Sequence, residues 1–252
     1  MRYSQIFLDI SSKKIWTVRL KLKSDSDKAI AFVLDDSKIR SGRKCKFLKT
    51  DGDGIFRSKS FLELKEKYGF VHERSAPYDH EQSAMIDREC RTLLEAVSTS
   101  LAQSGAPLSF WGHAAAHFTF TKNNTPRHEI LKDNKTIFIS PNNMHENIVK
   151  PFNLQHLVAF GTQANCFISP EARKGSKTPG QVKSFEGIII GYVEGMGAYK
   201  IFDILKNKIR EVSFYFTVVT EGSFPFRERK NWPKEIEKEK EPINFIPHSK
   251  HF

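Results

Sequence analysis

Apolar and polar positions alternate with period two through the opening stretch. Ile6, Leu8 and Ile10 sit between polar neighbours, and beyond Ser11 to Lys14 the residues Trp16, Val18, Leu20 and Leu22 alternate with Thr17, Arg19, Lys21 and Lys23. That period belongs to half-buried strands, so the chain opens on a hairpin whose first strand is either a sheet edge or one that has lost a neighbour. Ser24-Asp25 starts a helix carrying Ile30, Val33 and Leu34, and the basic loop Ser41 to Lys44 leads into a strand over 46–49. That strand ends in Thr50-Asp51-Gly52-Asp53-Gly54, which places Asp51 at its C-terminal edge. A helix over 60–68, a strand over 70–73 and the loop Ser75-Ala76-Pro77-Tyr78 follow. The clearest helical period runs through Ile86, Cys90, Leu93, Leu94, Val97 and Leu101, with Asp87, Arg88, Arg91 and Glu95 on its flank. Gly105-Ala106-Pro107 stops it, and another helix with Phe110, Trp111, Ala115 and Phe118 runs to about Asn123.

Beyond Lys122 the pattern fades. Pro126, Pro141 and Pro151 break a polar stretch that reads as a linker with one short strand at 136–139. From Leu157 to about Glu221 short strands recur at 157–160, 164–168, 187–193, 199–204 and 212–218, the spacing of a small barrel. The sequence predicts an α/β domain over 1–124, a linker over 125–153, a small β domain over 154–226 and a charged, solvated tail over 227–252.

Composition narrows the function classes. The 252 residues hold 40 Lys and Arg against 29 Asp and Glu, a formal charge of +11, with 21 Phe to fill a core. Such an excess favours a polyanionic partner, and a solvated basic face with no dedicated ligand is the plain alternative. No apolar run approaches the roughly 20 residues of a bilayer span; Ile188-Ile189-Ile190 is strand-sized. MRYSQIFLDI reads as a first strand rather than a secretory leader, so the expected location is nucleus or cytoplasm. Cys45, Cys90 and Cys166 are an odd, scattered set that fits neither a disulfide framework nor a zinc knuckle. His113 and His117 share a helix face, but HAAAH lacks the glutamate of a zinc-protease helix and sits among core-type residues.

Asp51 and Asp87 carry the candidate chemistry. With 35 residues between them, one follows a strand and the other flanks an amphipathic helix. Two carboxylates from different elements can share a divalent metal for phosphoryl transfer, because hard cations take oxygen ligands. Spacing alone leaves open two ordinary surface acids. Arg88 and Arg91 beside Asp87, and the loop of Arg173, Lys174, Lys177 and Lys183, are candidate phosphate contacts; a solvated loop is the alternative for the latter.

The words around these acids resemble the integrase core of copia-type long-terminal-repeat retrotransposon Pol polyproteins. LKTDGDGIF (48–56), GFVHERSAPYDHEQSAMIDRECRTLLE (69–95) and FWGHA (110–114) stand in order where that family reads LRSDNGGEF, GI-HE-S-PYTPQQNGVAERKNRTLLE and FW-EA. YSQIFLDISSKKIWTVRLKLKSDSD is similar to its hairpin, and LVAFG (157–161) through GIIIGYVEGMGAYKIFD to its post-core region, so the resemblance covers roughly residues 3 to 224. It implies a ribonuclease-H-like fold that cuts and joins DNA ends with a triad of Asp, Asp and Glu holding Mg²⁺ or Mn²⁺. It implies DNA as partner, leaves room for a homo-oligomer, and gives nuclear location by the family's task.

On that correspondence Asp51 is the second acid and Asp87 stands where the Glu belongs. The family's leading Asp lies on a strand before the hairpin with which these residues begin, and Asp9 matches a different acid. Asp87 is one methylene shorter than Glu, Gly52-Asp53 and Ser83-Ala84 replace Asn-Gly words, and Ile55 stands at a Glu position. Mg²⁺ demands near-ideal octahedral geometry, so the expectation is a fragment of an integrase, its core incomplete at the N-terminus, that does not catalyse by itself and binds metal weakly or not at all. The alternative reading is a non-catalytic remnant that binds nucleic acid or protein.

Overall fold

The opening alternation folds as an antiparallel hairpin in the computed structural model, which describes residues 3–50, 54–74, 80–132, 135–148, 152–168 and 183–228. Strands β1 (Tyr3–Leu8) and β2 (Ile15–Leu20) pair with Phe7 opposite Trp16. The alternation in the sequence runs further than the ladder: Ile10 is 62% exposed and Leu22 is exposed as well. The chain turns at Asp9, whose N–H donates to the Lys14 carbonyl at 2.9 Å, so Ile10 never enters the pleat.

The described residues divide into two compact units, one of residues up to 92 plus 123–152, the other of 93–122 plus those from 153 onward. In the first, Trp16, Val18 and Leu20 of β2 pack on Ala29 and Val33 of helix α1 (Ser26–Ser41). One step round α1, Ile30 and Leu34 meet Phe61 and Phe70, and Phe7 touches both clusters. Strand β3 (Phe47–Thr50), a 3₁₀ turn (Gly54–Arg57), helix α2 (Lys59–Tyr68) and strand β4 (Val71–Arg74) form a crossover that sets β4 parallel to β3. Ser58 caps α2 by accepting from the Phe61 N–H at 3.2 Å.

Helices α3 (His80–Ser104) and α4 (Trp111–Asn124) each contribute residues to both units. The helical stripe read from the sequence is buried at Leu93 and Leu101, but Leu94 is 67% exposed. At i+1 from Leu93 it lies about 100° round the helix, off the buried face.

The stretch read as a linker, 125–153, holds the strand expected at 136–139 and more. Strands β5 (His128–Lys132) and β6 (Lys135–Ile139) form a hairpin, and helix α5 (Pro141–Glu146) follows, capped by Ser140. Ile139 and Pro141 are buried, but most of its docking contacts are polar, which is why hydrophobic periodicity does not report it. Just before this segment, at the end of α4, the Asn123 amide exchanges hydrogen bonds with the backbone N–H and carbonyl of Ile15 at 3.0 and 2.7 Å. His128 Nε2 lies 2.6 Å from the Ser12 carbonyl, and Arg43 donates to the His145 carbonyl at 2.8 Å. Arg40 bridges Asp36 and Glu146.

The second unit is built on five antiparallel strands, β7 (Gln163–Phe167), β8 (Ser184–Val193), β9 (Ala198–Asp203), β10 (Lys208–Ser213) and β11 (Thr217–Thr220), in the order β10-β9-β8-β7-β11. Four strands run as a meander, and after a 3₁₀ turn (Phe214–Phe216) the fifth returns beside the first. The run Ile188–Ile190 is apolar throughout because both faces of β8 are covered. Ile188 and Ile190 meet Leu101, Phe110, Phe160 and Phe226, while Ile189 meets Cys166, Tyr199 and Ile201. A register shift between Ile189 and Gly191 then returns Tyr192 to the side of Ile189. The short helix α6 (Pro225–Glu228) seats Phe226 in the first of these clusters. No described helix is long and apolar enough to cross a membrane.

Candidate metal and nucleic-acid site

The parallel pair β3–β4 positions the candidate site. Crossover connections bring both strands out at the same end, and the residues just past the C-terminal edge of such strands are where α/β folds carry chemistry. Thr50 is the last residue of β3, opposite Arg74, and Asp51 is the next residue along the chain. Asp51 itself lies outside the described residues, as do Lys174 and Lys177.

The acid at 87 is described. It stands exposed on α3, and Arg88 and Arg91 are exposed beside it. Burial first, then the carboxylates of Asp87 and Glu89, push the Cys90 thiol above its ordinary value. Among the described residues no three His, Cys, Asp or Glu side chains gather as a metal centre. Carboxylate oxygen is the ligand that Mg²⁺ and Mn²⁺ take, so acids at 51 and 87 are of the chemical type such cations require.

Sequence reasoning passed over His72, which the structure ties closely to the stem of the candidate site. His72 stands in β4 opposite Leu48, and its Nε2 lies 2.8 Å from Thr50 Oγ1. Its ring packs edge-on against Phe61 at 4.8 Å and tilted against Phe56 at 6.2 Å. Burial, with the cations of Arg74 and Lys65, holds the imidazole below its ordinary pKa, and the neutral ring has one donor and one acceptor nitrogen. The available signal was its place in the GFVHE word, where a histidine falls on the inward-facing parity of a short strand.

The other singled-out residues have structural partners. Asp9, just past β1, accepts from the N–H and hydroxyl of Ser12 and lies 3.3 Å from His145 Nδ1. Chiefly through His145, and against the effect of burial, its carboxyl is held well below the usual range. His145 Nε2 in turn lies 3.3 Å from Ser37 Oγ, so this acid joins the β1–β2 turn to α5 and α1. His113 and His117 are both buried. His117 Nε2 sits 3.0 Å from the Val158 carbonyl with its ring edge-on to Phe160, and burial drives its pKa down to about 4.

No family model matches the chain. Over 216 residues it is 29% identical to the retrovirus-related Pol polyprotein from transposon TNT 1-94 of Nicotiana tabacum, a match covering 84% of this chain. The chain spans 15% of that relative's length. Among solved structures, a chain of the simian T-cell lymphotropic virus intasome in complex with PP2A regulatory subunit B56 gamma aligns with a TM-score of 0.43 and 14% identity, over 85% of this chain and 71% of that one.

Proposed function

We propose that this chain, a relative of copia-type retrotransposon Pol polyproteins, is the integrase-core and post-core segment of such a polyprotein. Its ancestral task is the cutting and joining of DNA ends by polynucleotidyl transfer. The observation that carries the reading is the agreement of the ordered words with their elements: the first begins within β3, with Asp51 next along the chain, the second runs through β4 into α3 with Asp87 exposed, and the third opens α4. The relationship to a Pol polyprotein over most of the chain supports the same assignment.

In this reading Asp51 and Asp87 hold Mg²⁺ or Mn²⁺, which when bound supplies charge stabilisation for the displaced and attacking oxygens of a phosphodiester. Arg88 and Arg91 hold DNA phosphates near that edge, and Lys174 and Lys177 extend the basic surface from the post-core part. Asp87, with its shorter reach, weakens the site, so these 252 residues assayed by themselves join no DNA ends.

The test is a strand-transfer assay on the chain with Mg²⁺ and with Mn²⁺, alongside Mn²⁺ binding to wild type, Asp51→Asn and Asp87→Glu. No product, Mn²⁺ binding lost in Asp51→Asn and strengthened in Asp87→Glu is the expected result. Robust strand transfer by wild type would overturn the inactive part, and Mn²⁺ binding indifferent to Asp51 would overturn the metal site.

A further inference from the structure

Parallel strands are ordinarily covered on both faces, one by their crossover helix and the other by a second layer. In β3–β4 the described residues cover one face: Leu48 packs with Phe61 and Phe70 beneath α2, and His72 lies edge-on to Phe61. On the opposite face Phe47 stands directly across from Val71, and the two are 61% and 53% exposed. Two residues further along that face Lys49 stands across from Glu73, both exposed. Lys44 and Lys46 are exposed where the chain enters β3, and among the described residues none of these three lysines has an ion pair.

Single exposed apolar side chains are ordinary on a protein surface. Here a ring and an aliphatic side chain adjoin across two strands whose register is fixed by burial of the other face, so polar residues could stand at 47 and 71 without touching the core. The patch lies among three lysines and one carboxylate. That excess repels a basic partner and favours an anionic one that also brings flat apolar surface. A single nucleic-acid strand brings both, because its unpaired bases stack on an aromatic face while its phosphates meet lysines. In a duplex the bases are stacked and paired with one another, and the ring has no free base to meet.

We propose that the outer face of β3–β4 is a platform for single-stranded nucleic acid: Phe47, backed by Val71, stacks an unpaired base, and Lys44, Lys46 and Lys49 hold the flanking phosphates. The proposal rests on the nucleic-acid reading above and adds to it a strand with unpaired bases, held by residues other than Arg88 and Arg91.

The experiment is fluorescence anisotropy on the full chain with a labelled oligo-dT strand and with a duplex of the same length, each over a range of salt concentrations. Phe47→Ala should weaken single-strand binding about 5- to 150-fold, the range for one lost stacking contact, while the salt slope stays as in wild type and duplex affinity holds within about twofold. Lys44→Gln, Lys46→Gln and Lys49→Gln should each lower the single-strand slope of log affinity against log salt by about 0.7. Phe47→Trp keeps a flat ring and should bind like wild type, with its added indole emission quenched by the oligo-dT strand and not by the duplex. This variant reports on the ring directly, so a fold defect in Phe47→Ala cannot stand in for lost stacking. Single-strand affinity unchanged in Phe47→Ala, or no added quenching in Phe47→Trp, would overturn the platform; the first is also what a face built to dock another protein would give. Either result alongside duplex binding that depends on Arg88 sinks the platform alone. No binding to either probe at low salt sinks the nucleic-acid reading together with it.

Discussion

Gly161, in the VAFG word that opens the post-core region, has a backbone φ of +86° and no room for a side chain. A Cβ there would stand 2.3 Å from the Cβ of Ser104, far inside contact distance, and Ser104 is fully buried. Ser104 cannot simply turn away, because its hydroxyl donates to the Ser100 carbonyl at 2.7 Å and accepts from the Ala106 N–H at 3.2 Å, closing the end of α3. The Gly161 N–H itself donates to the Ile189 carbonyl at 2.8 Å, anchoring the loop to the centre of the five-stranded sheet.

Gly161→Ala therefore carries two costs: about 1–2 kcal/mol for an L residue held at positive φ, and about 1–3 kcal/mol for forcing a packed helix end and a loop apart. The sum, about 2–5 kcal/mol, is a large share of the roughly 5–15 kcal/mol that holds a domain folded. Each kcal/mol lowers the melting temperature by roughly 4–8 °C in a domain of 60–100 residues and by roughly 2–4 °C in one of 150–250, so a fall of at least ~4 °C is expected in thermal unfolding followed by circular dichroism. Ser104→Gly removes the colliding atom but also the hydroxyl's hydrogen bonds to the Ser100 and Leu101 carbonyls and the Ala106 N–H, and should cost about 1–3 kcal/mol alone. Combined with Gly161→Ala it should relieve the overlap and leave the φ strain, so the double variant is more stable than the sum of the singles by about 1–3 kcal/mol. Additivity of the two changes, or a Gly161→Ala protein as stable as wild type, would refute the packing argument.

Asp9→Ala should destabilise the first unit by about 1.5–3 kcal/mol, as removal of a charged hydrogen-bond acceptor does. Because the folded carboxyl titrates below its unfolded value, its stabilisation is fully present above about pH 4 and is lost as pH falls through the folded pKa. Urea midpoints measured from pH 7 down to pH 2 should thus fall less steeply in Asp9→Asn than in wild type, and parallel curves would count against the role of Asp9. Cys166 is fully buried, and burial pushes its thiol up to about 11, so under native conditions iodoacetamide should modify it last of the three cysteines, read by mass spectrometry of peptides; equal labelling would contradict the covered inner face of β7. Arg88→Ala and Arg91→Ala, exposed on α3, should each reduce the slope of log affinity for duplex DNA against log salt by about 1; an unchanged slope would remove both from the DNA contact surface.

Sequence and tertiary structure divide the evidence along a physical line. Period-two and helical patterns located the β1–β2 hairpin, α1 and α3, and a continuous apolar run located β8, because apolar burial is written residue by residue in side-chain type. The ordered words around Asp51 and Asp87 led to a family for the same reason: they are local strings, legible without coordinates. The segment 125–153 was not legible, because its hairpin and α5 dock largely through His128, Arg43 and the Arg40 bridge, and such polar contacts leave no hydrophobic period. Nor could periodicity tell that Leu94 lies off the buried face, since a stripe says which residues can be buried and not where the packing surface ends. His72 marks the boundary. As a letter in a short strand it is an ordinary inward-facing residue, and only the parallel register of β3 and β4 brings its nitrogen to the hydroxyl beside Asp51. Contacts between residues distant in the chain belong to the fold, because a sequence pattern encodes which side chains turn inward but not which of them meet.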